Sequence, residues 1–342
     1  MATAAVFFFT QKPDTLIQLR RFRWDVGIGL FAVVGAAWLC NGGRVYILSH
    51  SLGYPLTFKQ SMSVSLSTEF GIAATPGGVG GALIRLTLLK RAGVPIAHGT
   101  SMLTTDIATD ILFFTILFPF AAAALMNNPK IASFFRENIL EDWMPVVLFA
   151  AAIIFLLVLV KKLRLVYRLF YWLSHRPQLQ RYRLLVRGRW LRWKWITWRR
   201  QFQEGIGHLL ALRKGAVFLA FLLCSAQWTC RYSILPIALY SLSIPCDPLP
   251  LFLLQGVLFM FALLVVLPGG GGGVELSMAF ILGRIYPVSI VGVVVLLWRL
   301  FTYHLYMLGG GIMFFWTFAH LNALFPASSP PAETAEFSLN DE

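Results

Sequence analysis

Glu69, Arg85, Asp106, Asp110, Glu275 and Arg299 are ionisable residues that lie inside stretches otherwise mostly apolar. A charged side chain at membrane depth costs about 2.5–3.5 kcal/mol on insertion scales, so each is a candidate for binding, gating or coupling. Asp106 and Asp110 are four residues apart and share a helix face. Beside Arg85 and Glu275 run two glycine-rich breaks, Pro76-Gly77-Gly78-Val79-Gly80-Gly81 and Pro268 followed by Gly269 through Gly273. A backbone break in hydrocarbon leaves N–H and C=O groups unpaired, so it survives only against protein or a water-filled cavity. Half-helices expected to start near Ala82 and Val274 present free N–H groups and a positive dipole end, which suits phosphate. Arg85 could add a direct charge to that phosphate.

These residues need a frame. The chain is 58% hydrophobic and 13% charged, whereas soluble domains carry about a quarter charged residues. Apolar stretches of spanning length predict helices over Val26 to Leu48, Thr104 to Leu125, Met144 to Val160 and Gly215 to Tyr240. Met62 to Leu89 and Leu251 to Leu282 are interrupted by the breaks, and the first is expected to cross the membrane once. Val288 to Leu324 fits either one tilted helix or two spans hinged at Gly309-Gly310-Gly311. The expected fold is all-α and polytopic, with segment 1–25, a first membrane half 26–160, a basic segment 161–214, a second half 215–326 and a disordered acidic tail 327–342.

One shift of 192 residues places Pro76 on Pro268, Gly77, Gly78, Gly80 and Gly81 on Gly269, Gly270, Gly272 and Gly273, and Pro95 on Pro287. Broken helices at corresponding positions of two repeats point to a transporter-type site near mid-membrane. The bland alternative is that small residues merely let helices pack closely. Under the same shift Arg299 falls beside the position equivalent to Asp106, and an Asp106–Arg299 pair is expected to set the closed state. His304, alone on an apolar helix, reads as a packing residue.

The net charge is +14, and about half of the Lys and Arg lie between 161 and 214. There Leu184, Leu191, Trp195, Trp198 and Phe202 recur at helical spacing among Arg189, Arg192, Lys194, Arg199 and Arg200, the pattern of an amphipathic helix on an anionic leaflet. Pro177 and Gly188 are expected to limit its ends. The positive-inside rule puts this segment and the arginines before the first span on the cytoplasmic side. Nucleic acid is not an expected partner.

No catalytic motif, nucleotide motif or metal-ligand spacing is present. G-x-G-x-x-G fails at Leu83, and Cys40, Cys224, Cys230 and Cys246 show no C-x-x-C or Cys/His spacing. No cofactor is expected, and any transport would be passive or driven by an ion gradient.

The two breaks, with Arg85, Gly93-Val94-Pro95, Leu267, Glu275, Trp298-Arg299-Leu300 and Tyr303, resemble the membrane region of the lysylphosphatidylglycerol synthase/flippase proteins. The resemblance implies a lipid-translocating role in a bacterial cytoplasmic membrane, with membrane phospholipids as partners. Ala82 stands where that family often has an acidic residue, and the second break is richer in glycine than usual. No aminoacyltransferase domain follows the last span, so lipid synthesis is not expected. The sequence reading then makes the eight glycines a backbone cradle, Arg85 a phosphate ligand, and Glu275 a partner for a cationic headgroup or a proton. Rival readings are a transporter or channel for a small anion, a membrane enzyme on a lipid-linked substrate using Asp106 and Asp110, and a scaffold that recruits partners through the basic segment.

Overall fold

The computed structural model describes residues 23–126, 184–209, 213–264 and 273–325. Among them every regular element is helical. In chain order these are α1 (Trp24–Ser51), α2 (Phe58–Ala74), a 3₁₀ turn (Pro76–Gly78), α3 (Val79–Arg91), α4 (Ile96–Met126), α5 (Leu184–Gly207), α6 (Lys214–Ser241), α7 (Pro248–Leu264), α8 (Gly273–Ile285), α9 (Val288–Arg299), a π-helical segment (Leu300–His304), α10 (Leu305–Ala319) and the short α11 (Leu321–Leu324). Four stretches are long and apolar enough to span a bilayer: Trp24–Ser51, Ile96–Leu117, Lys214–Ser241 and Ile290–Ala319. The protein is an all-α polytopic membrane protein. The chain divides into two compact units, Met1–Phe118 with Glu204–Glu342, and Pro119–Gln203. The expected span Met144 to Val160 and the acidic tail lie outside the described residues.

α1 and α6 run antiparallel. The Arg23 N–H at the start of α1 donates to the Ser241 carbonyl at the end of α6 (2.9 Å). Further along, Gly43 faces Leu223 and Arg44 reaches Gln227. The apolar layer beneath includes Leu30, Val34, Leu235 and Leu239, all fully buried with Met278 and Leu282 of α8.

The first break folds differently from the single crossing expected from the charge of the flanking segments. α2 opens with a Thr57/Gln60 capping box and runs for 17 residues, about 25 Å at 1.5 Å per residue. Gly77 (φ 61°) and Gly78 (φ 72°) then reverse the chain through backbone conformations that a side chain resists. α3 returns antiparallel to α2. A Cβ on Gly71 would meet the Gly80 carbonyl carbon at 2.7 Å, and one on Gly81 would meet the Thr68 oxygen at 3.0 Å. The glycines therefore allow backbone-to-backbone contact, and 62–89 is a helical hairpin.

That hairpin alters the expected topology. Tyr54, past the end of α1, bonds His98 near the start of α4 (2.8 Å), and Gly205 packs against Ser101 and His98. The C-terminal end of α5 thus lies at the opposite end of α1 from Arg23. The charge of the N-terminus and of the basic segment predicts both on one side, which requires 62–89 to cross once; the hairpin does not provide that crossing.

Two other expectations change. Gly188 lies inside α5 and does not limit it. Gly309-Gly310-Gly311 is no hinge. Gly310 is buried against the Leu66 oxygen and Phe70 of α2, and the helix continues through it. The irregularity sits a turn and a half earlier, where Leu300–His304 is π-helical.

Candidate functional site

The buried charges assemble into two groups. In the first, α1 supplies Arg44, α3 supplies Arg85, and α4 supplies Asp106 and Asp110. Arg85 is in direct contact with Asp106. Arg44 sits 3.3 Å from Asp106 and 3.1 Å from Asp110. It also donates to Gln227 of α6, the Asp106 backbone oxygen and Thr109, each at 2.9 Å. Asp110 accepts from Trp228 Nε1 (3.1 Å) and the Cys224 thiol (3.0 Å), both on α6. Arg44, Arg85 and Asp106 are at most 5% exposed. Charges so far from water persist only when compensated, and here each is ion-paired, with Arg44 hydrogen-bonded as well.

The second group joins α1, α2, α6, α8 and α9. Arg299 pairs with Glu275 at 3.1 Å. Glu69 accepts from Asn41 (2.9 Å) and lies 3.6 Å from Arg231. Arg231 lies over the Tyr306 ring at 4.5 Å and the Trp228 ring at 5.7 Å, while Arg299 lies over Trp298 and Tyr303. Such cation–π contacts strengthen when desolvated. Trp298 donates to Gln255, which donates to the Tyr232 carbonyl.

The expected Asp106–Arg299 pair does not form. Each residue pairs inside its own half: the half-helix α3 gives Arg85 to Asp106 of the long helix α4, and the half-helix α8 gives Glu275 to Arg299 of α9. The physical reason is reach. Each half-helix packs beside the long helix that follows it, so its charge finds a partner there first.

The glycine cradle resolves into three roles. Gly77 and Gly78 form the turn. Gly80 and Gly81 are packing positions on α3. Gly273 opens α8, while Gly269, Gly270 and Gly272 lie outside the described residues. α3 begins at Val79 rather than near Ala82, so Arg85 sits in its second turn. The Gly80 N–H, one of the free donors expected to hold an anion, is taken by the Thr75 hydroxyl (2.8 Å), which itself donates to the Gly71 carbonyl (2.7 Å). The break thus caps itself. Tyr303, midway along the Val288–Ala319 run, donates to the Ala73 carbonyl (3.2 Å) just before the turn. His304 bonds the Arg299 carbonyl through Nδ1 (3.1 Å), a local contact in keeping with a packing residue.

On α5, Trp198 and Phe202 stack one turn apart at 5.3 Å and Arg199 is exposed. Arg189, Arg192 and Trp195 fall in the same helix, with side chains outside the described set.

Arg44 and Arg231 were missed by sequence reasoning. The signal was present, since both are charged residues inside spans already recognised as membrane-crossing. Asn41, Gln227 and Gln255 carry no charge, so only the fold identifies them as partners. Among the described residues no cluster of His, Cys, Asp and Glu could hold a metal ion, and the four cysteines are free.

Comparison with known proteins agrees with this architecture. No solved structure matches the chain. It is similar to a "UPF0104 membrane protein" of Archaeoglobus fulgidus, with 24% identity over 320 residues that cover 91% of this chain and 92% of the relative. A family model described as the lysylphosphatidylglycerol synthase TM region matches residues 1–310. The chain belongs to the lysylphosphatidylglycerol synthase transmembrane-region family, a membrane family related to lipid handling.

Proposed function

We propose that the protein moves phospholipids between membrane leaflets, with the two broken segments as the moving parts. One observation supports this above the others: each half-helix is tied to the next long helix by a buried ion pair, and the two pairs have opposite polarity. Arg85 offers a cation on α3 and Glu275 offers an anion on α8. A headgroup with a phosphate and a cationic moiety could exchange with Asp106 at one pair and with Arg299 at the other. Such exchange avoids leaving a bare charge in a medium where one costs several kcal/mol. In this reading Asp106, Asp110, Arg299 and Glu69 gate the rearrangement, and no covalent chemistry is involved. We place the basic segment on the cytoplasmic, anionic leaflet on charge alone. Each basic residue there is worth about 1 kcal/mol of attraction to anionic lipid.

The test is exchange of labelled phospholipids between leaflets of proteoliposomes. It compares wild type with Arg85→Gln/Asp106→Asn and Glu275→Gln/Arg299→Gln, which remove each pair whole and leave no lone buried charge. At least a tenfold fall in exchange by folded double variants is the expected result. Unchanged exchange would make the pairs structural. Lipid-independent uptake of a small anion would favour the solute-transport reading.

A further inference from the structure

We propose that the junction of α1, α6 and α10 is an oxyanion site, built from Trp38, Arg231 and Tyr306 and suited to a phosphate monoester or diester. The Tyr306 hydroxyl and the Trp38 indole N–H are buried without a hydrogen-bond partner among the described residues. Their rings meet edge-on with centroids 5.6 Å apart. A buried donor left unsatisfied is costly, and native structures leave few of them. Tyr306 is only 3% exposed, so bulk water does not serve it. Arg231 lies over the same Tyr306 ring. Its hold on its own partners is loose, 3.6 Å to Glu69 and 3.4 Å to the Thr302 carbonyl, the second being a carbonyl of the π segment. Trp38 and Arg231 thus both contact the Tyr306 ring, three residues with unspent donor capacity lie together, and an oxyanion is the acceptor that suits them. Glu69 gives the alternative state: with the site empty it neutralises Arg231, and Asn41 keeps it in place. π-helical segments recur at functional sites.

This deepens the translocation reading and rests on it only for the source of the phosphate. The test uses Tyr306→Phe, which keeps the ring and its contact with Arg231 and removes only a hydroxyl that no described protein group uses. Binding of a short-chain phosphatidylglycerol and of inorganic phosphate would be followed by thermal shift in detergent. The expected result is at least a fivefold weaker Kd in Tyr306→Phe, with the melting temperature of the unliganded protein unchanged. Equal binding by wild type and Tyr306→Phe would overturn the proposal, as would no binding of either ligand to wild type. Binding of inorganic phosphate with no lipid exchange in vesicles would keep the site and remove the lipid as its source.

A separate set of observations points to the two halves being an inverted repeat. α1 and α6 start at 24 and 214 and are 28 residues each. α2 and α7 start at 58 and 248 and are 17 residues each, and α3 and α8 are 13 residues each. α1 and α6 end in the same turn, with a left-handed residue at Gly53 (φ 82°) and Ser243 (φ 58°) and matching bonds from Tyr54 to Ser49 and Ile244 to Leu239. Because α1 and α6 are antiparallel, the hairpin after α1 and the segment after α6 open at opposite ends of the bundle. Inverted repeats place one site at their interface, open to each face in turn.

Sidedness decides this without any lipid assay. Lys90→Cys and Asp247→Cys, each in a Cys246→Ser background, would be labelled by a membrane-impermeant maleimide in oriented vesicles. Labelling from opposite faces is expected. Labelling of both from one face would overturn the inverted repeat.

Discussion

Asp106 is a carboxylate that two arginines share, and this makes its removal asymmetric with the removal of either partner. Asp106→Asn leaves Arg44 with Asp110, Gln227 and Thr109. It leaves Arg85, 5% exposed, with no other ion-pair partner among the described residues. An uncompensated buried charge of this kind costs about 3–5 kcal/mol. Arg85→Met is milder, because Asp106 keeps Arg44 at 3.3 Å and the methionine fills much of the volume. About 1.5–3 kcal/mol is expected there, the range of a lost interaction with a charged group with little cavity. The double variant Arg85→Met/Asp106→Asn removes both charges and should be more stable than Asp106→Asn alone by about 2 kcal/mol, a coupling normal for residues in one network. The assay is a double-mutant cycle on the detergent-solubilised protein, with unfolding followed by SDS titration. Strict additivity of the two single losses would refute the shared-carboxylate argument, and so would an Asp106→Asn variant no weaker than Arg85→Met.

Three smaller predictions test other parts of the fold. Ser243→Gly should stabilise the protein by about 1 kcal/mol, because a non-glycine residue at φ 58° is strained; a thermal melt would show it. Gly71→Ala should destabilise by about 1–3 kcal/mol, since its Cβ meets the Gly80 backbone at 2.7 Å, whereas Gly283→Ala, with nothing within 4 Å, should be neutral or better. Burial, with Asp247 adding to it, pushes the Cys246 thiol above its ordinary value, so the reactive thiolate is scarce until the pH rises past that of a free cysteine. Maleimide should therefore modify Cys246 more slowly than a free thiol at about pH 8 and catch up as the pH is raised, and Asp247→Asn should speed the reaction.

Spans, breaks and most of the buried ionisable residues were legible because the bilayer punishes exceptions to apolarity; Arg44 and Arg231 carried the same signal and were passed over. Helix length was legible for the same reason: α1 and α6 extend only a few residues past the apolar stretches that announced them. Partner choice was not. Arg85 pairs with Asp106 across 21 positions, but Arg44 reaches Asp110 and Gln227 across 66 and 183, and no periodicity encodes contacts of that separation. The sense of the first break was hidden as well. Pro76 and its glycines signal an interruption, yet a kink and a reversal share that signal, and the reversal depends on Gly71, five residues before the proline, meeting Gly80. The π segment left no trace in Leu300–His304 because its residues are ordinary helix formers in an apolar setting.

The two buried groups are each electrically balanced: Arg44 and Arg85 against Asp106 and Asp110, and Arg231 and Arg299 against Glu69 and Glu275. Moving one unpaired elementary charge through a membrane potential of 100 mV changes its energy by about 2.3 kcal/mol. A network that shifts as neutral clusters feels almost none of that force. The empty protein should therefore change conformation at a rate indifferent to voltage. Any current or voltage dependence measured during turnover would report the net charge of what is being carried, which gives an electrical reading of the cargo that needs no label on it.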